Sequence, residues 1–425
     1  MIKIDGSQLI TTVKPDELIN MADKTVTFGA CVHKIKKSFV MLRTGRYILQ
    51  GVYNTKNCEN DIAELCEGAY ITVTGTIKTE PRADFGFEIW ILSFKVLSRP
   101  EEEYPLPDSS KSLECDVETT LDHRSTALRH PELRAVFKIR EGITSAFREF
   151  MLNNSFTEIH TPKIVSADTE GNNNAFETDY FGTKAYLAQS PQLYKQTAVA
   201  FFDRVFEVTP VFTAQKRSSM RHLNEYTYLD FEIGFINDMR DVIAMQTAML
   251  RYMIDYLNNN YRYELDLLGC TLPVVKDIPI VSFSEALDIS GKPQTQIDLD
   301  PTDEVKLCSY IKENFDSEFV FVEKFPEKKR PFYVMGSESF DLLMGGLEIA
   351  SGGQHIHSYN EQLEKIKECE LDIHDYEFFL EVHKHGLPPH GGLSLNLERF
   401  IMKLLNLQNI RETTLFPRDM RHITP

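Results

Sequence analysis

Apolar and polar positions alternate differently in two parts of this 425-residue chain. From Thr25 to about Leu97 they alternate with a period of two in short runs, TVTFGACVHKI, SFVML, RYILQGVYN, YITVTGTI and FGFEIWILSFKVL, with turn residues between them. The pattern predicts five short strands, with a helix over Asn60 to Glu67 between the third and the fourth. Residues 98–113, SRPEEEYPLPDSSKSL, have no period and predict a boundary. Beyond it, Leu133, Val136, Ile139, Ile143, Phe147 and Phe150 recur at helical spacing behind Pro131, a residue favoured in a first turn. FTEIHTPKIV reads as a strand interrupted at Pro162, which confines it to an edge or interface. VSADTEGNNNAFETDY is a polar loop able to act as a lid, and AYLAQSPQLYKQTAV reads as strand, turn and helix. RVFEVTPVFTAQ and YTYLDFEIGFI predict a hairpin joined by the turn KRSSMRHLN. Residues 238–261 and 359–385 are expected as helices, and 262–335 as mixed α/β without evident chemistry. GLEIASGGQHIH reads as a strand. Between His390 and Leu405 the period switches near Asn396 from that of a strand to that of a helix.

Five short strands with a helix in that place fit a small closed barrel of the OB type. Such barrels bind single-stranded nucleic acid on an aromatic face, for which Phe39 and Tyr47 and the nearby basic residues Lys34, Lys36, Lys37, Arg43 and Arg46 are available. In the remainder, strand pairs outnumber helices in the core, which predicts an α+β domain with a mixed, mainly antiparallel sheet flanked by helices. The expected domains are 1–98, a linker or hinge over 99–130, and 131–425. The Pro-broken strand after a long helix points to a homodimer seam.

Charge alters this picture slightly. The net charge of −17 would repel a polyanion unless basic residues are segregated, and the first hundred residues hold 13 Lys plus Arg against 11 Asp plus Glu. Any nucleic acid is therefore expected at the N-terminal part. Seven scattered cysteines without a CxxC pair indicate neither a disulfide framework nor a zinc site, and free thiols are expected. No apolar run approaches the ~20 residues that span a bilayer, so no membrane partner and a cytoplasmic location are expected.

In the strand–helix unit at the C-terminal end, Glu398 and Arg399 fall in the first helical turn, where unpaired N–H groups and the helix dipole favour an anion such as a nucleotide phosphate. The competing reading is a buried corner with both side chains solvated at its mouth. The segments around it decide the matter: HTPKI (160–164), TEG (169–171), QSPQLYKQ (189–196), RHLNE (221–225), FDLL and LEIASGGQ between 340 and 354, GLPPHGG (386–392), LERF (397–400) and NIRETTLFPRD (409–419). In this order they resemble class II aminoacyl-tRNA synthetases, in particular archaeal-type aspartyl-tRNA synthetases and their asparaginyl relatives, over nearly the whole chain.

The resemblance implies an enzyme that uses ATP and Mg²⁺ to adenylate an amino acid and passes the acyl group to tRNA. It places Arg399, Arg221 and His222 at the ATP phosphates and Glu348 and Ser351 at Mg²⁺. Asp230 would meet the substrate ammonium, with Gln189, Gln192 and Lys195 around the substrate and Glu170 on the lid. In the barrel, Phe39 and Gln50 keep the spacing of an anticodon-stacking aromatic and a base-reading amide. This chain departs from the family pattern at several of these positions. Thr213 stands where the family has an arginine at the α-phosphate, Gln215 where it has a glutamate at the adenine, and His355 where it has an arginine facing the substrate side chain. Ser394 and Asn396 replace glycines, which implies a narrower ATP pocket. Lys216 and Arg217 are candidates to replace the missing charge. These departures point to a retooled paralogue that adenylates an Asp- or Asn-like substrate, small or peptide-borne. An orthodox aspartyl- or asparaginyl-tRNA ligase is the alternative. A catalytically inactive regulatory or nucleic-acid-binding paralogue is a third reading, against which the retained Arg399, Arg221, Glu348 and Lys195 argue.

Overall fold

Alternation along the first five strands is satisfied by closing them on themselves. The computed structural model describes residues 13–106, 115–168, 170, 174–216 and 219–424. Strands β1 (Thr25–Lys36), β2 (Phe39–Thr44), β3 (Tyr47–Val52), β4 (Tyr70–Thr79) and β5 (Phe87–Ser98) form a closed barrel in the order β1-β2-β3-β5-β4. Val40, Leu42, Leu49, Ile71, Val73, Ile89 and Ile91 fill its interior. Phe39 pairs with Val52, which pairs with Trp90, so these three share the outer face with Gln50. The helix expected over Asn60 to Glu67 is only a 3-10 turn, Ile62–Glu64. The Tyr53 hydroxyl donates to the Asn60 carbonyl at 3.0 Å and accepts from the Ile62 N–H at 3.1 Å, and Leu65 is already extended, so no further turn can follow.

The chain divides into two compact units, Met1–Glu114 and Cys115–Pro425. Part of the stretch expected as a hinge is helical, Val117–Asp122 and Arg124–Ala127, and packs with the second unit. Buried Arg124 donates to the carbonyls of Leu415 (2.7 Å) and Thr414 (2.6 Å), which holds it there.

In the second unit, helix α1 (Pro131–Asn153) precedes β6 (Thr157–Glu158), β7 (Ile164–Val165), β8 (Phe176–Tyr180), β9 (Thr183–Leu187) and helix α2 (Gln192–Phe202). The hairpin of β10 (Arg204–Phe212) and β11 (Glu225–Gly234) follows as expected, then helix α3 (Met239–Asn260). Strands β12 (Ile280–Ser282), β13 (Phe319–Glu323), β14 (Val334–Met344), β15 (Glu348–His355) and β16 (His390–Asn396), which runs into helix α4 (Leu397–Leu404), complete it. The expected helix over 359–385 is two helices, Tyr359–Glu368 and Glu377–His385, separated where Glu370 adopts a left-handed φ of 55°.

Eight strands form one sheet in the order β12-β13-β14-β15-β16-β11-β10-β6, antiparallel except at β12–β13 and β10–β6. β6 lies at an edge just before Pro162, where a missing N–H costs nothing. Register then sorts the side chains by face. Asp341, Ser351, Ser394 and Asp230 are successive cross-strand partners, and two residues along come Gly353, Gly392 and Glu232. The opposite face carries Leu229, Phe231, Leu393 and Leu395, which bury against Ile139, Ile143 and Phe147 of α1 and Met249, Leu250 and Met253 of α3. Each such fully buried side chain contributes about 1.5–3 kcal/mol, enough to hold the polar face in register. Gly392 is required there: a Cβ would lie 2.2 Å from the Phe231 carbonyl and 2.3 Å from Glu232 Oε2. Among the described residues no helix is long and apolar enough to cross a membrane.

Candidate functional site

The polar face of the sheet opens into a cavity of about 190 Å³, lined by Thr213, Gln215, Arg221, His222, Tyr226, Tyr228, Glu348, Ser351, Ser394, Asn396 and Arg399. Local structure explains why these groups converge. Asn396 caps α4 by accepting the Arg399 N–H at 2.9 Å, which sets the first turn against the cavity. Glu398 points the other way and is buried, bound to Arg140 at 2.7 Å and to the Thr227 N–H at 2.8 Å, so the solvated-corner reading fails. The Arg399 guanidinium donates to the Glu348 carbonyl at 3.0 Å and lies 3.7 Å from its carboxylate. In the hairpin turn, Ser219 Oγ receives the Arg221 N–H at 3.1 Å and contacts His222 Nδ1 at 2.6 Å. Arg221 is paired to Glu304 and donates to the Gly346 carbonyl at 3.2 Å.

Three cationic or imidazole heads thus face a compact acidic group. Burial, then the neighbouring Asp341 carboxylate, pushes the Glu348 carboxyl up to about 7. Asp341 is 3.0 Å from Arg330, whose guanidinium also reaches Ser351 Oγ at 3.4 Å. Two carboxylates crowded together beside a hydroxyl are oxygen donors whose mutual repulsion a divalent cation relieves, and that donor set fits Mg²⁺. Burial raises the Tyr228 hydroxyl well above its ordinary range and keeps it a neutral donor.

Ser394 joins this cavity to a second, fully enclosed group. Its Oγ donates to Asp230 Oδ1 at 2.6 Å, and the Lys195 ammonium donates to the same oxygen at 2.8 Å and to the Leu393 carbonyl at 3.1 Å. Lys195 also stands 3.6 Å from Glu232. Burial opposes its charge, but Asp230 and Glu232 outweigh it and raise the Lys195 ammonium above its ordinary range. Glu232 is 2.6 Å from His355 Nδ1, and the Gln192 amide lies 3.3 Å from His355 Nε2. Glu170 is tied to Ser190 and to the Tyr333 hydroxyl (2.6 Å), and burial raises its carboxyl.

The residues expected from the sequence divide accordingly. Thr213, Gln215, Arg221, His222, Glu348, Ser351 and Arg399 come together at the cavity, and Glu170, Gln192, Lys195, Asp230 and His355 at the enclosed group. Gln189 instead holds the loop, donating to Asp168 at 2.6 Å. Lys216 is exposed on the hairpin turn and does not line the cavity, and Arg217 lies outside the described residues. In the barrel, Phe39 is exposed, and Gln50 donates to Glu88 at 3.2 Å beside exposed Trp90. Asp341, Glu304, Arg330, Tyr333 and Glu232 were missed. Period-two alternation could have found Glu232 from Asp230, whereas Glu304 and Arg330 lie in the stretch that carried no signal.

The family described as tRNA synthetases class II (D, K and N) matches residues 116–420. The aspartate–tRNA(Asp/Asn) ligase of Deinococcus radiodurans is 41% identical over 372 residues, covering 84% of this chain and 86% of the relative. The aspartate–tRNA(Asp) ligase of Pyrococcus furiosus is 38% identical over 423 residues, covering 95% and 96%. The crystal structure of asparaginyl-tRNA synthetase from Pyrococcus horikoshii complexed with asparaginyl-adenylate superposes with a TM-score of 0.86 at 27% identity, covering both chains completely.

Proposed function

Because this chain belongs to the class II tRNA synthetase family of the D, K and N type, we propose that it is an ATP-dependent ligase that adenylates an Asp- or Asn-type amino acid and transfers it to tRNA. The observation that carries this reading is the junction at Ser394, where a cavity bearing Arg221, His222 and Arg399 meets the Lys195–Asp230 pair. In this reading Arg399, Arg221 and His222 hold the ATP polyphosphate, and the amino acid enters with its ammonium toward Asp230. A substrate carboxylate oxygen then attacks the α-phosphorus and pyrophosphate leaves; the terminal hydroxyl of tRNA next attacks the acyl carbon, taking the acyl group and releasing AMP. No protein nucleophile is needed, so the chain contributes position and charge. Glu348, Asp341 and Ser351 would hold Mg²⁺, which supplies neutralising charge to the phosphates. Phe39 and Gln50, with Trp90 beside them, form the face on which anticodon bases would stack. A homodimer acting in the cytoplasm completes the proposal.

The relatives weigh toward this orthodox ligase and away from a paralogue retooled for another substrate or acceptor. The retooled reading rests on the departures that the resemblance implies at Thr213 and His355, and on a cavity below the ~300 Å³ usual for a small-molecule pocket. Incubation with ATP and Mg²⁺ plus aspartate or asparagine separates the two. Amino-acid-dependent ATP–pyrophosphate exchange with charging of tRNA is expected. Exchange without any tRNA charging leaves the retooled enzyme, and absence of exchange with either amino acid overturns the main proposal.

A further inference from the structure

Beside the Lys195–Asp230 pair lies a cluster to which the proposed adenylation assigns no chemical step. Glu232, His355 and His390 are all buried, and one ligand atom from each lies within 4.8 Å of the other two. Register produces this grouping: His355 pairs with His390 across β15 and β16, and Glu232 is two residues along β11 from Asp230. Their hydrogen bonds leave donor capacity over. His390 Nδ1 lies 2.9 Å from the Pro388 carbonyl and Nε2 lies 3.1 Å from Gln196 Oε1, so a neutral ring protonated on Nδ1 turns its Nε2 lone pair toward another acceptor, a contact that a cation would relieve. A ring proton given to a backbone carbonyl is the arrangement that orients a metal-binding histidine. Glu232 Oε1 meets His355 Nδ1 at 2.6 Å, whereas Oε2 is fully buried without a hydrogen-bond partner, its nearest cation being Lys195 at 3.6 Å.

We propose that Glu232, His355 and His390 bind one divalent transition ion, Zn²⁺ fitting best, and that this ion faces the side chain of the amino-acid substrate. Two imidazoles and one carboxylate with a further position open are the ligand set of a zinc site that also binds an exogenous oxygen. Donors in tetrahedral zinc lie roughly 3.3 Å apart, so the widest pair closes by roughly 1.5 Å through side-chain rotation. Charge gives the ion a purpose. Lys195 faces Asp230 and Glu232, with Glu170 also near it, so carboxyl groups outnumber ammonium groups in this pocket, which suits it poorly to an anionic side chain. A divalent ion offsets that excess of negative charge and offers a carboxylate oxygen a positive partner. The substrate part of the inference rests on the proposed amino-acid adenylation, whereas metal binding itself does not.

The test uses the full-length protein, stripped with a chelator and titrated with Co²⁺ and Zn²⁺. One zinc per chain by elemental analysis is expected, as is an intense visible Co²⁺ spectrum of a four-coordinate nitrogen-ligated site, reversed by Zn²⁺. His355→Arg and Glu232→Gln should each abolish the spectrum while circular dichroism and melting show a folded chain. Glu348→Gln should leave it unchanged, since that carboxylate lies at the ATP side. Sub-stoichiometric metal, a spectrum surviving in His355→Arg, or one lost in Glu348→Gln overturns the site. Calorimetry then reads the substrate: Zn²⁺ should tighten aspartate by about 10-fold or more over the stripped protein, and His355→Arg should make that affinity insensitive to chelation. Unchanged aspartate affinity with stoichiometric zinc overturns the substrate-facing role alone. Stoichiometric zinc without any ATP–pyrophosphate exchange overturns the proposed function and leaves the site standing.

Discussion

Arg399 sits with one N–H on the Glu348 carbonyl and its guanidinium near the Glu348 carboxylate, where a polyphosphate would compete for it. Removing a charged donor aimed at developing charge typically costs 10²- to 10³-fold or more. Arg399→Ala is therefore expected to lower ATP–pyrophosphate exchange by about that factor with the fold intact by circular dichroism. A rate within a factor of two of the parent would show that the guanidinium does not reach the phosphates. Thr213 lines the same cavity without a charge. Thr213→Arg should raise exchange by about 10-fold or more, and an unchanged rate would mean that the α-phosphate is served from elsewhere. These residues were legible through the family resemblance that short strings such as RHLNE and LERF carry. Glu304 was not, since its pairing with Arg221 joins positions 83 apart in the chain.

The strand–helix unit β16–α4 depends on one cap. Asn396→Ala loses the bond to the Arg399 N–H and should cost about 1 kcal/mol in urea unfolding, whereas Asn396→Gly should cost only a few tenths. Equal losses for the two would show that the side chain contributes something other than the cap. The C-terminal segment is held by a second local device. Asp419 receives the N–H groups of Arg421 (2.8 Å) and His422 (3.0 Å) and pairs with Arg411. Burial raises its carboxyl, but those hydrogen bonds outweigh burial and hold it well below the usual carboxylate range. A carboxylate depressed on folding adds stability that is present above its ordinary pKa of about 4 and is lost as pH falls through the depressed value. The parent chain should accordingly lose stability faster than Asp419→Asn below about pH 4 in acid unfolding. Parallel curves would remove Asp419 as the cause.

At the scale of the molecule, each unit keeps its own core, so their functions should separate experimentally. Stacking a base on an aromatic is worth ~1–3 kcal/mol, so Phe39→Ala should weaken tRNA binding by roughly 5- to 150-fold. That loss should fall on tRNA charging and spare ATP–pyrophosphate exchange, and a matching fall in both would assign Phe39 to the barrel's stability. Period and turn residues alone determined the five barrel strands, the β10–β11 hairpin and the strand-to-helix switch at Asn396, because each depends on neighbours a few positions away. The helix expected near Asn60 is reduced to a single turn and the helical stretch 359–385 is interrupted, because Tyr53 and the turn at Glu370 intervene. Only the tertiary structure decided which carboxylates meet which cations: cross-strand register places Asp230, Ser394, Ser351 and Asp341 in one row, and that register is set by burial of the opposite face against α1 and α3. Pairings made across a sheet leave no trace in the order of residues along a chain, and the cluster of Glu232, His355 and His390 exists only through them.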